Sequence, residues 1–260
     1  MRVLMVQTYH YYRGGDSTCM FNLARLLESR GHEVIHFAMN HPQNLPSRWS
    51  EYFTSEIDFP ALLGESSARA AASVIGKSIY NQEARRLIAR LADETKPDIA
   101  HFHNIHGHLT TSIIAPLRKR GIPIAWTLHD YRLVCPNTTF LRGDEVCERC
   151  LPRRYWNVVL GRCKKGSLPA SVVAMMTTLY DRVSRVPART GRFITPSAFL
   201  KGKLIEGGIP PGKIAVIPNF VDVGSFRADA GLSDAKADLL GAARSGAADR
   251  RGSSAGPLDD

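Results

Sequence analysis

Apolar positions along the chain alternate between two rhythms. Val3, Leu4, Met5 and Val6 form a continuous apolar run, the mark of a parallel strand covered on both faces. Helical spacing follows: Met20, Leu23, Ala24 and Leu27 fall on one face, Asp16 or Ser17 is the predicted cap, and Gly31 suits the position just past the end. A second strand is expected over 33–38. Residues 67–94 carry a stripe of Val74, Ile75, Ile79, Leu87, Ile88 and Leu91, closed by Pro97, which predicts one long helix. A third strand over 98–103, a helix over 109–120 ended by Gly121, and a fourth strand over 122–128 come next. Past residue 167 the rhythm resumes with a helix over 170–184, a strand over 192–195, a helix over 197–206 capped by Ser197, and a strand over 213–217. Parallel strands need crossover connections, so this alternation predicts an α/β fold with a doubly wound parallel sheet and helices on both faces.

Three stretches break the pattern. Residues 40–60 form a polar, aromatic-dotted loop interrupted by Pro42, Pro46 and Pro60. Residues 131–167 form an insertion containing cysteines, arginines and prolines. Beyond 226 the composition turns to Ala, Gly, Ser, Asp and Arg, with Leu232, Leu239, Leu240 and Leu258 as the large apolar residues. Residues 227–260 are therefore expected to be a disordered, low-complexity tail behind a folded domain at 1–226.

The full 260 residues are 44% hydrophobic and 22% charged, which suits a globular protein with a sizeable core. No apolar run approaches the roughly 18 residues of a membrane span, and the first residues pass directly into a strand without the regions of a signal peptide. The expected location is the cytoplasm. A formal charge of +10 favours anionic partners. Part of it is concentrated in the insertion, at Arg142, Arg149, Arg153, Arg154, Arg162, Lys164 and Lys165. Two readings stay open for that cluster: a solvated basic loop, or a face turned to an anionic ligand or to the inner face of a membrane.

Candidate chemistry gathers at predicted strand ends, where ligands bind in open α/β sheets. After the first strand come Tyr9, His10, Tyr11, Tyr12, Arg13, Gly14 and Gly15. After the third come His103, Asn104, His106, Gly107 and His108, and after the fourth His129 and Asp130. The Gly14-Gly15 turn opens a helix, so its backbone N–H groups could meet phosphates or substrate oxygens. The plainer reading is that these glycines only make the turn. His36 and His101 lie inside strands and read as structural. Asp130 could equally cap a strand-end turn.

Taken in order, the opening MRVLMVQTYHYYRGGDSTCMFNLARLLESRGHEV, the segment HFHNIHGHLT, the strand end TLHDYRLVCPN, the stretch ITPSAFLKGKLIEGGIP and IPNFVD at 217–222 resemble a known family. It is the N-terminal, acceptor-side half of family 4 retaining glycosyltransferases of the GT-B type, and the likeness covers about residues 1–226. The resemblance implies a Rossmann-like half that transfers a sugar from a nucleotide-sugar donor to a hydroxyl acceptor in a glycan, polysaccharide or lipid-linked product. By that carry-over Gly14, Gly15 and Arg13 lie near the donor diphosphate, His129 and Asp130 near the reacting sugar, and His103 and Asn104 line the acceptor side. No metal or other cofactor is implied for catalysis.

A complete member carries a second half, which holds the nucleotide and bears two glutamates separated by seven residues. Here the last glutamate is Glu206, so the chain is expected to lack that half and to be inactive alone, or to work with a separately encoded one. A non-catalytic acceptor- or membrane-binding module is the alternative. Cys135, Cys147, Cys150 and Cys163 fall within the insertion, with a C-x-x-C knuckle at 147–150. Four thiolates in one irregular loop predict a structural zinc ion, with unligated thiols as the other reading; Cys19 stands apart on the first helix. Nucleic-acid binding is not expected, because the basic residues are not interleaved with aromatics.

Overall fold

A computed structural model describes residues 1–57 and 75–221. Six parallel strands form the sheet, in the order β2-β1-β3-β4-β7-β8: β1 (Arg2–Val6), β2 (Glu33–Phe37), β3 (Ile99–Phe102), β4 (Ile124–Thr127), β7 (Arg192–Thr195) and β8 (Ile214–Val216). Val3 to Val6 is buried along its whole length, and the strand's alternate residues divide the core. Val3 and Met5 pack with Met20, Phe21 and Ala24 of helix α1 (Gly15–Ser29). Leu4 and Val6 face the other layer, with Leu87, Ile88 and Leu91 of helix α2 (Gln82–Thr95). β1 thus buries both faces, as its unbroken apolar run requires. The fold is the Rossmann-like, doubly wound α/β class expected from the sequence.

Several ends are set by single residues. Gly31 and Gly121 adopt positive φ just past helix ends, where glycine carries no steric cost. Ser197 caps the helix that spans Ala198–Glu206, its hydroxyl accepting from Leu200 N at 3.2 Å. The predicted long helix over 67–94 is interrupted: residues 75–79 are helical, then Asn81 caps a new start at Gln82; residues 67–74 fall outside the described residues. The cap is a junction as well. Asn81 Oδ1 accepts from Ala84 N at 3.0 Å, and its Nδ2 donates to His108 O at 2.6 Å.

The expected helix over 109–120 also starts late. Thr110 sits at φ +61, residues Thr111–Ile113 make a 3₁₀ turn, and only Ile114–Lys119 (α3) is α-helical. Thr110 Oγ1 accepts from Asn81 N and meets Ser112 Oγ, which donates to Asn81 O. These side chains bond locally to the backbone and so compete with helix formation.

The insertion is more ordered than its composition suggested. Strands β5 (Leu141–Arg142) and β6 (Glu145–Val146) pair antiparallel, and a short helix α4 (Asn157–Leu160) precedes α5 (Leu168–Val183). A satellite core of Cys150, Tyr155 and Val158, joined by Val159, Cys163 and Met175, ties α4 to α5. Helix α6 (Val186–Arg189) leads into β7. The tail expected at 227–260 lies outside the described residues.

Replacing Asn81 by alanine removes a helix cap and leaves the buried His108 carbonyl without that donor. The expected loss is about 1–3 kcal/mol of stability with the fold retained. Urea unfolding monitored by circular dichroism checks it, and an unchanged midpoint would contradict the assigned junction.

Candidate functional site

β1 has β2 on one side and β3 on the other, so the crossovers leaving β1 and β2 run in opposite directions across the sheet. That arrangement is a topological switch point, and it opens a crevice beyond the carboxyl ends of β1 and β3. Main-chain bonds carry the pairing past the strands: His103 N donates to Val6 O at 2.9 Å, and Thr8 N to Asn104 O at 2.8 Å. The two loops with the richest candidate chemistry are therefore held side by side.

The glycine turn differs from expectation in detail. Gly14, rather than Asp16 or Ser17, is the N-cap of α1, and the helix begins at Gly15. The Ser17 hydroxyl folds back on the turn, accepting from Arg13 N at 2.9 Å and Gly14 N at 3.0 Å and donating to Gly14 O. Those two amides are thereby spent. At Gly15, by contrast, a Cβ would meet nothing within 4 Å, and no bond from its N–H is formed among the described residues. Gly14 has φ −174, an extended conformation open to any residue. Making the turn therefore does not explain either glycine. What Gly15 provides is bare backbone over open space at a helix N-terminus.

Asp16, which the sequence reading offered only as a cap, joins the loops. Its Oδ2 accepts from Asn104 Nδ2 at 3.2 Å and Gln7 Nε2 at 3.4 Å, and its Oδ1 from Ser17 N at 2.8 Å. Three protein donors thus compensate the carboxylate. Only an i, i+1 contact of this set could be anticipated from the chain; the bonds from residues 7 and 104 depend on the β1–β3 pairing.

From β4 comes His129. Its Nε2 lies 3.0 Å from His103 Nδ1, with the rings stacked at 5.3 Å. His101, whose ring stacks on His103 at 4.6 Å, holds Thr127 Oγ1 at 2.8 Å through Nε2. His101 is packed inside its strand as expected, and it also extends a histidine stack toward the rim. Burial is the main force on all three. It holds His101 down to about 4 and His103 well below the usual imidazole range. It lowers His129 too, opposed by the charges of Asp16 and Asp130. In the His103–His129 bond one ring donates and the other accepts, which leaves His129 Nδ1 without a protein partner among the described residues. His103 Nε2 is buried with none, an unpaired group that costs about 1–3 kcal/mol. Trp126 Nε1 fixes the loop from beneath by donating to His103 O at 2.7 Å.

The remaining expected residues sort differently. Asp130 Oδ1 accepts from Arg132 N at 2.9 Å, the turn-capping arrangement. Arg13 lays its guanidinium 4.0 Å over the Tyr9 ring. Tyr9 also contacts Tyr11 and His108, and Tyr11 stacks on His41 at 4.8 Å, which makes an aromatic wall beside the rim. His106 turns away from it, its Nε2 3.3 Å from Asp181 Oδ2 on α5. His36 packs against His10 at 4.6 Å. A cleft of about 900 Å³ between α2 and α3 is lined by Lys77, Arg85, Arg86 and Lys119 among others and by none of the rim residues.

Cys135, Cys147, Cys150 and Cys163, the residues for which zinc was expected, all lie among the described residues. All four are free thiols, and Cys150 is pushed up to about 12 by burial and by its neighbours Cys135, Cys163 and Cys147. Among the described residues, however, no group of three or more His, Cys, Asp or Glu is placed to hold a metal ion. Cys150 is buried in the satellite core with Tyr155 and Val158, and Cys163 packs against it.

The fold is a Rossmann-like α/β domain with a glycine-opened helix at its switch point. The chain belongs to glycosyltransferase family 4, whose model matches residues 13–225. Solved structures similar to it include Acinetobacter baumannii MurG (12% identity, TM-score 0.41, covering 85% of this chain and 46% of that one). Others are the UDP-GlcNAc 2-epimerase of Methanocaldococcus jannaschii (12%, 0.41, 84% and 46%) and Anabaena HepE in complex with UDP and glucose (11%, 0.43, 86% and 46%). The chain thus spans less than half the length of each. No curated protein matches it in sequence.

Burial of neutral histidines sets a direction for pH dependence. His10, His101 and His108 are held down to about 4 and His36 to about 3, against about 6.5 in an unfolded chain. Between those limits the unfolded state binds protons that the folded state refuses, so stability is full above about 6.5 and falls as pH drops toward 4. Thermal unfolding from pH 7.5 to 4.5 is expected to show a falling midpoint below about 6.5. A midpoint that is flat or rises on acidification would show that these rings are not buried neutral.

Proposed function

We propose that this chain is the acceptor-side half of a GT-B glycosyltransferase that moves a sugar from a nucleotide-sugar donor to a hydroxyl acceptor with retention. The observation that carries the reading is the exposed, unspent amide of Gly15 at the switch point, beside Asp16 and the His103–His129 pair. Loss of a nucleoside diphosphate builds negative charge on the leaving group. A bare helix N-terminus offers N–H donors and a partial positive charge to that group without reorganising. The Arg13 guanidinium, held over Tyr9, lies next to the same turn.

In this reading His129 binds sugar hydroxyls. With Nε2 committed to His103, Nδ1 is the atom left to face a donor sugar, and a neutral ring suits a hydroxyl better than a charged one would. His103 positions it and reaches substrate only through it. The wall of Tyr9, Tyr11, His41 and His108 offers flat apolar faces with polar edges, a surface on which an acceptor glycan can stack. Asp130 is a turn residue whose charge biases His129. In this reading the nucleotide and most donor selectivity belong to a second half.

UDP-glucose is the probe of choice, and saturation-transfer NMR detects weak binding to this chain directly. Glucose protons are expected to receive saturation from the wild type. Gly15→Val fills the open space over the turn and should remove that transfer while leaving the melting temperature within about 2 °C, since the added side chain meets no protein atom. Absence of transfer with the wild type, or equal transfer with Gly15→Val, would overturn the donor-side assignment.

A further inference from the structure

Helix α5 is built inside out. Its buried face consists of Ser171, Ala174, Thr177, Thr178 and Asp181. The hydroxyls are satisfied within the helix: Ser171 Oγ donates to Ser167 O, Thr177 Oγ1 to Val173 O and Thr178 Oγ1 to Ala174 O. Asp181 is satisfied by Thr111 Oγ1 at 2.5 Å and His106 Nε2 at 3.3 Å. The outward face is the apolar one. Leu168, Val172, Met176, Leu179 and Val183 are spaced four, four, three and four residues apart, so they form a single stripe along the helix. Leu168, Met176, Leu179 and Val183 are 41–80% exposed. The adjoining α4 exposes Trp156 and Leu160, one turn apart.

The segment that carries this stripe is charged with one sign. Between Arg149 and Arg189 the sequence carries nine basic residues and one acid, the buried Asp181. Arg162, Lys165, Arg185 and Arg189 are exposed, and none has an ion-pair partner among the described residues. A packed helix in a water-soluble domain ordinarily turns its apolar stripe to the core. An exposed apolar stripe flanked by unpaired cations instead has the two properties of a helix that lies in a lipid interface: apolar area to bury and attraction to anionic headgroups.

We propose that α5 with its flanking arginines and lysines is a docking face for an anionic membrane surface, seated in the interface plane without crossing the bilayer. No helix among the described residues is long and apolar enough to cross one. The insertion supplies the flank, and its satellite core of Cys150, Tyr155 and Val158 holds α4 against α5. This inference stands apart from the sugar-transfer reading, because it concerns a different face and its test involves no nucleotide sugar.

Co-sedimentation with vesicles tests it. The wild-type chain is expected to pellet with vesicles of phosphatidylglycerol and phosphatidylcholine at about 1:3, to stay in the supernatant with phosphatidylcholine alone, and to be released as salt rises past about 0.3 M. Leu179→Gln/Val183→Gln should weaken binding about tenfold or more with an unchanged melting temperature, since both side chains are exposed. Arg185→Glu/Arg189→Glu, outside α5, should weaken it as well. Arg85→Gln/Arg86→Gln, which removes two cations of the α2–α3 cleft, should leave it unchanged. Three results would overturn the proposal: no binding of the wild type to anionic vesicles, binding lost in the Arg85/Arg86 variant but kept in the α5 variant, or a wild-type dimer that the α5 variant converts to monomer without any vesicle binding.

Discussion

The pairing of β1 with β3 is the constraint on which the rest depends. Four register pairs join the strands, and two further main-chain bonds, from His103 N to Val6 O and from Thr8 N to Asn104 O, extend the pairing into the loops. Residues nearly a hundred positions apart in sequence are thereby fixed within hydrogen-bonding distance. Only then can Asp16 accept from Asn104 and Gln7 together, and only then can β4, paired to β3, bring His129 against His103. Both faces of β1 are occupied by core side chains, so a register slip would move Val3 and Met5 out of one core and Leu4 and Val6 out of the other. Rim geometry and core stability are in this sense one property.

Much of the fold was legible because its signals are local. An apolar run such as Val3–Val6, a stripe such as Leu87, Ile88 and Leu91, a cap such as Ser197 and a stop such as Gly31 each act within a few residues, and each behaves in the structure as expected. The misjudged boundaries arose where a polar side chain had a distant partner. Asn81 divides the predicted 67–94 helix because its amide reaches His108, and Thr110 delays the next helix because its hydroxyl serves Asn81. Neither partner can be inferred from spacing. The same limit hid the roles of Asp16 and Gln7 in the rim, whereas Gly15, His103 and His129 were visible because each sits directly after a recognisable strand. The cysteine spacing illustrates the same limit. Knuckle-like spacing suits a metal, and the same residues are also good apolar filler, here packed with Tyr155 and Met175.

Burial holds His101, His103 and His129 toward their uncharged forms. Asp16 is spent on three N–H donors, Asp130 on its own turn, and Arg13 lies over the Tyr9 ring. Further cations line the α2–α3 cleft and the insertion with its flanking helix.

Helix α5 shows how one buried contact can dictate an exposed surface. Asp181 is held by Thr111 and His106, both on the segment that follows β3. Holding that acid inward fixes the rotation of the helix about its axis. Residues at 171, 174, 177 and 178 must then also face inward, and they are the small and hydroxylated ones that can bond back to their own helix. At 3.6 residues per turn the opposite face follows without further choice, and the sequence places Leu168, Val172, Met176, Leu179 and Val183 there. Reversing the helix would bury the apolar stripe but would strand Asp181 in solvent and leave His106 and Thr111 without their acceptor, at a cost of about 1–3 kcal/mol for each buried group. The exposed stripe is thus anchored by the same segment that forms the rim, and any surface that covers α5 would meet a helix locked in orientation to that rim.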